Sequence, residues 1–234
     1  MGAERRLAGS QHVDRLETGL ETVAKRTFQW AIDWPGWCRS GKTEGDAMEH
    51  FVAAGERYNI VIERAGLTPL AISAHDLFVV ETVDGNGGTD FGVPSILAET
   101  DRRPLSATDA DRAVRLLDAC WAVFGDVVSA APAELRKGPR GGGRDRDKVV
   151  EHVLAAEHGY AREMGLKLPA PDPADRATVA ALRAAIIAVL REPSDGSPIE
   201  GRRWTPRYAL RRIAWHVLDH AWEIEDRSEP AESA

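Results

Sequence analysis

No apolar run in this 234-residue chain approaches the roughly 18 residues that a membrane-spanning helix requires. The opening segment MGAERRLAGSQHVDR lacks the apolar stretch of a secretory signal, so a reduced cytoplasm is the expected compartment. Cysteine is nearly missing. Cys38 and Cys120 are too few and too scattered for a disulfide framework, and neither belongs to a Cys-x-x-Cys pair. Positive charge is also in short supply. A formal net charge of −7 and a pI near 5.6 argue against a general nucleic-acid or membrane binder. No internal repeat is visible. What remains is ordinary globular composition, 43% hydrophobic and 29% charged, enough for one large domain or two small ones.

The two halves of the chain have different rhythms. Up to about residue 100, strand and helix signals alternate. Thr27–Asp33 (TFQWAID) is rich in aromatic and branched residues and is stopped by Pro35-Gly36, with Trp37–Ser40 as its expected hairpin partner. Thr43 stands as an N-cap with Asp46 in capping-box position. The helix it opens is expected to run from about Glu44 to Ala65, with Ala47, Phe51, Ala54, Tyr58, Val61 and Ile62 at helical spacing and Gly66 at its C-cap. Leu77–Val83 (LFVVETV) reads as a further strand, ended by the turn-forming run Asp84–Gly88.

Beyond Pro104 strand signals nearly vanish. Four helical patterns follow, at about 107–130, 147–164, 174–191 and 206–226, with caps at Ser106, Asp145, Asp172 and Thr205. Their connections are rich in Gly and Pro. Four amphipathic helices in succession favour a bundle. The expected fold class is therefore α+β: an α/β unit over 1–100 followed by a four-helix bundle over 101–234.

The last helix carries His216 and His220, a spacing that sets two imidazoles one turn apart on one face. Ile213, Val217 and Ile224 lie beside them, so both rings flank the stripe facing the bundle core. The second bundle helix supplies His152 at the edge of its own apolar stripe of Val149, Val153, Ala156 and Tyr160. His158 projects about 240° round that helix and is expected on the solvent side. Three histidines from two helices would present a three-nitrogen face to one divalent metal, with a position open to water or substrate. The alternative is a set of histidines hydrogen-bonded to carboxylates or carbonyls. Glu157, Asp219 and Glu223 lie near the histidines in helical projection and are candidates to orient a ligand or to move a proton; the alternative makes each an ordinary surface carboxylate.

The segments HVLAAEHGYAREMG and YALRRIAWHVLDHAWEIEDR, in four-helix order, resemble the DinB-like (YfiT-like) superfamily of metalloenzymes over roughly residues 106–227. That superfamily carries one histidine on its second helix and His-x-x-x-His on its fourth, matching His152, His216 and His220. The resemblance implies an up-and-down bundle holding zinc, nickel or a similar ion. Several members are thiol-dependent S-transferases or isomerases that use a low-molecular-weight thiol: bacillithiol, mycothiol or glutathione. In the first half, residues 27–65 (strand, Pro-Gly turn, strand, then Gly-x-Thr leading into a helix) resemble the HicB-type antitoxin fold. HicB-like domains bind a partner protein or form dimers, which makes a homodimer an expectation. No DNA-binding helix pair follows the segment.

The loop Arg136–Lys148 concentrates Arg136, Lys137, Arg140, Arg144, Arg146 and Lys148 against Asp145 and Asp147, a net +4 in an acidic chain. Its glycines allow backbone amides to wrap an anion ahead of a helix N-terminus. Arg140 and Arg144 are the candidates to hold an anionic small-molecule substrate, and a solvated linker is the alternative. The loop lacks the Gly-Lys-Ser/Thr ending of a P-loop, and no aromatics interleave its charges as in an RNA-binding surface. Two functions stay open: a metal-dependent transferase or hydrolase using an activated thiol or water, and a non-catalytic regulatory module with a structural metal. Cys120 is expected to be buried, Cys38 more exposed.

Overall fold

The computed structural model describes residues 11–12, 15–137 and 142–228. The two-residue strand β1 (Gln11–His12) precedes the central strand β2 (Leu16–Val23), which turns at once into β3 (Arg26–Ala31). β3 continues through the Pro35-Gly36 turn into β4 (Cys38–Gly41), giving the expected hairpin. The strand β2 carries no clear apolar alternation, because Glu17, Gly19 and Glu21 occupy every other position. Its burial has two causes. Glu21 is fully buried but accepts hydrogen bonds from Thr89 Oγ1 and the Ser95 and Ile96 amides, which offset its desolvation. Gly19 lies opposite Trp30, and a Cβ there would come within 2.2 Å of the indole.

Thr43 caps α1 (Glu44–Ala53) in the expected box with Asp46. The single helix expected to reach Ala65 is instead two, with α2 (Gly55–Arg64) starting anew after Ala54. The cause is Trp37: its indole N–H donates to the Phe51 carbonyl at 3.0 Å, taking the acceptor that an unbroken helix would offer to Gly55. The same indole stacks between Phe51 and Tyr58, at 4.9 and 4.8 Å between ring centres. After β5 (Leu70–Ala71), which pairs parallel to β1, β6 (Leu77–Asp84) joins β2 in parallel, so the four-stranded sheet runs β4-β3-β2-β6. Asn86 then caps the short α3 (Gly87–Asp90).

Four helices close the chain: α4 (Ala107–Ala130), α5 (Arg146–Glu163), α6 (Arg176–Leu190) and α7 (Pro206–Ser228). They pack on one another, α7 lying against α4, α5 and α6. Ser106 caps α4 by accepting from the Asp109 amide, and Thr205 Oγ1 accepts from the Tyr208 amide at the start of α7. The start of α6 corrects the sequence expectation. Asp175, not Asp172, is its cap, because Asp172 Oδ1 is taken by the Ala174 amide in a local turn.

One buried cluster draws residues from both sides of residue 100, joining Leu16, Trp37, Phe51 and Tyr58 to Leu117, Ile186, Ile213 and Leu218. Helix α7 is therefore held on several fronts. Gly36, at φ 96°, brings the hairpin turn so close that a Cβ would meet Leu218 Cδ1 at 2.8 Å. Phe28 of the sheet meets Trp215 edge-on, and Arg211, fully enclosed, pairs with Asp101 (Nε–Oδ1 3.0 Å) and donates to Ile96 O. Burial disfavours the Arg211 charge, yet Asp101 holds its pKa above the ordinary value. These contacts fix the rotation of α7 about its axis, and with it the direction of its two histidines. Both cysteines are buried, Cys38 against the expectation, because it sits under Trp30, Phe28 and Trp215. Burial pushes both thiols above their usual range, so neither is a nucleophile.

Candidate metal centre

Helices α5 and α7 pack side by side, and His152 from the one meets His216 and His220 from the other. The Nε2 atoms of His152 and His216 are 3.3 Å apart, and one nitrogen from each of the three rings lies within 4.8 Å of the other two. Ring centres are separated by 5.1 Å (His152–His216), 4.9 Å (His152–His220) and 4.7 Å (His216–His220). His216 is the buried member, and the other two reach partway to solvent. The i,i+4 spacing on α7 delivers two ligands, and the α5–α7 contact delivers the third.

The electrostatics suit a cation held by neutral imidazoles. Burial, reinforced by His220 and Arg212, lowers the pKa of His216 to about 2. Burial and then His220 also lower that of His152. Both rings are therefore uncharged at neutral pH, with nitrogen lone pairs free to bind a metal, as a zinc-type site needs. His220 is oriented differently. Its Nδ1 lies 2.8 Å from Glu223 Oε2, and Glu223 Oε1 accepts from Arg227 Nη1 at 2.7 Å. The hydrogen bond from His220, above all, holds the Glu223 carboxyl below its usual range. A carboxylate on Nδ1–H fixes the tautomer and leaves Nε2 as the ligand atom. Arg227 is anchored in turn by donating from Nε to Arg136 O at 2.8 Å.

The structure brings together His152, His216, His220 and Glu223, but not the other two carboxylates. Glu157 is fully buried on the opposite flank of α5, where it accepts from Trp121 Nε1 at 2.9 Å and pairs with Arg183 at 3.0 and 3.1 Å. Burial raises its pKa despite the arginine. Asp219 is turned to the N-terminal half, with Arg39 Nη1 at 3.3 Å and its side chain 43% exposed. His158 is not on the solvent side. It is half-buried, its Nε2 at 2.9 Å from Leu168 O, because the chain after α5 folds back over it.

The basic loop does reach this end of the helix pair. Gly143 lies against the Arg227 guanidinium, and the positive charge of Arg144 contributes to lowering the pKa of both His152 and His216. Arg140 lies outside the described residues. Three residues beside the histidines carried no advance assignment: Arg227, legible in hindsight at i+4 from Glu223; Arg212, at i−4 from His216; and Tyr160, whose ring stands edge-on to His216 at 5.7 Å. A cavity of about 950 Å³ lies elsewhere, between α4 and α6 with Trp121 and Arg183 in its wall. The chain matches no known protein family, no curated protein and no solved structure to a significant degree.

Proposed function

We propose that this chain is a metal-dependent enzyme of the DinB-like type, holding a divalent ion through His152, His216 and His220. The observation that carries the reading is the convergence of three imidazoles from two helices, with the third ring locked by Glu223 and Arg227. Among the described residues the converging ligand set comprises three nitrogens, which matches catalytic rather than closed structural zinc sites. Zinc fits this donor set best, and nickel shares the imidazole preference. When bound, such an ion supplies Lewis acidity that lowers the pKa of a water or thiol, the basis of a hydrolase or of a thiol-dependent S-transferase.

The residues of the chain divide the remaining work. His216 and His152 stay neutral, and Glu223 holds His220 in the ligating tautomer. Of the three candidate carboxylates Glu223 alone touches a histidine, so it is the one placed to hold a proton there, at His220 Nδ1.

A second reading, a regulatory module with a structural ion and the HicB-like half as its partner surface, draws on one observation: Glu157, Asp219 and Glu223 are all engaged by cations or His220. Elemental analysis of the purified protein, followed by cobalt substitution, separates the two. One equivalent of metal in the native chain and none in His152→Ala supports the metal centre. A cobalt spectrum that responds to an added thiol reveals an open position and supports the enzyme. A spectrum indifferent to every added ligand supports the module, and absence of metal binding at millimolar zinc overturns both.

A further inference from the structure

Four buried side-chain nitrogens among the described residues have no hydrogen-bond partner: Arg212 Nη1, Trp215 Nε1, His216 Nδ1 and Arg227 Nη2. All four belong to α7, and all lie within three turns of the histidine centre. Buried donors are ordinarily satisfied, and three of the four, at 212, 215 and 216, fall within about one turn, which marks a place where a ligand or ordered water belongs.

Arg212 is the most telling of them. Its guanidinium is clamped between two rings, 5.4 Å from the centre of Tyr160 and 4.8 Å from that of Trp215, and it makes no ion pair among the described residues. It stands one turn before His216 on α7, on the same helical face. Tyr160, which contacts Arg212, also contacts His216 edge-on, and Trp204 packs against Tyr160 at 5.5 Å. The charges around the centre do not balance. Glu223 is matched by Arg227 and Asp219 by Arg39. A divalent ion would add two further positive charges beside Arg212, with Arg144 facing His152 as well. An anion from outside the chain would relieve that excess. One small anion on the metal would leave the fork of Arg212 empty.

We propose that Arg212 is the anchor for a carboxylate of the substrate, seated against Tyr160 and beside the three-histidine centre, so that the substrate class is a carboxylic acid whose reacting group faces the metal. This deepens the metalloenzyme reading and rests on it. A planar guanidinium with free donors suits a planar carboxylate better than a point cation would. The aromatic walls restrict the guanidinium between them.

The test uses the full chain loaded with cobalt and two probe thiols of equal length, 3-mercaptopropionate and its neutral amide. Their thiolate groups report on the metal through the cobalt–sulfur absorption band, and their other ends report on Arg212. The expected result is at least about tenfold tighter binding of the acid, worth about 1.4 kcal/mol. Arg212→Gln should abolish that preference while leaving cobalt content and the affinity for the amide unchanged, and Arg212→Lys should keep part of it. Equal affinities for acid and amide in the wild-type protein overturn the proposal without touching the metal centre, and need no variant that folds. A preference that survives in Arg212→Gln but disappears in Arg144→Ala also overturns it, moving the anchor to the loop. Failure of the wild-type chain to bind cobalt removes the metal reading and this proposal together.

Discussion

Replacing Glu223 tests whether the histidine centre is an organised metal site or three rings that happen to meet. Glu223 makes two short contacts, 2.8 Å to His220 Nδ1 and 2.7 Å from Arg227 Nη1. Both are of charge-assisted length. In Glu223→Ala, His220 loses the acceptor that fixes its tautomer, and its ring gains freedom that metal binding must then remove. Losing such an orienting partner typically weakens metal affinity about 10–100-fold, or about 1.4–2.7 kcal/mol. The same substitution leaves Arg227 with its bond to Arg136 O, so the loop stays attached and the fold loses little. Glu223→Gln keeps an oxygen in place for Nδ1–H but no charge, and its loss should stay below about tenfold. Competition between purified apoprotein and a chromophoric zinc chelator at fixed pH measures all three affinities, with circular dichroism as the check on folding. An alanine variant that binds zinc as tightly as the wild type would refute the orienting role of Glu223.

Acidification should destabilise the metal-free protein through His216. Its folded pKa near 2 lies below the ordinary value of about 6.5, so between those limits the unfolded chain takes up a proton that the folded one does not. The stability is complete above about pH 6.5 and declines as pH falls, by up to about 2 kcal/mol at pH 5 for one proton. Urea melts at both pH values should show this, and an unchanged slope in His216→Gln would count against it. Glu157→Ala should cost about 2–3 kcal/mol, less than a fully enclosed pair because Arg183 is 21% exposed, while leaving metal stoichiometry intact; a drop in metal content would return Glu157 to the site. Gly19→Ala forces a Cβ into the Trp30 indole and should cost about 1–3 kcal/mol in thermal melts, with a neutral result contradicting the close approach.

The patterns that depend on neighbours within one turn or one hairpin were legible in the sequence itself. The box of Thr43 and Asp46, the cap of Ser106, the hairpin about Pro35-Gly36 and the four closing helices all follow from local chemistry, and the structure contains them. So does the placement of His216 and His220 on one face, since helical geometry alone sets i,i+4 neighbours together. What tertiary packing decided lies between elements distant in sequence. Strand β2 is buried by hydrogen bonds to Glu21 from residues about seventy positions away, and by the fit of Gly19 to Trp30, neither of which leaves an apolar pattern. Helix α1 stops where Trp37 takes the Phe51 carbonyl, although the residues themselves propose a continuous helix. Helical projection gave Glu157 and Glu223 similar claims on the histidines. Arg183 and Trp121 drew one carboxylate to the far flank of α5, and His220 kept the other, because a buried charge goes to the partners that neutralise it. The meeting of His152 with the α7 pair has the same origin: the angle at which two helices cross is set by the core they share.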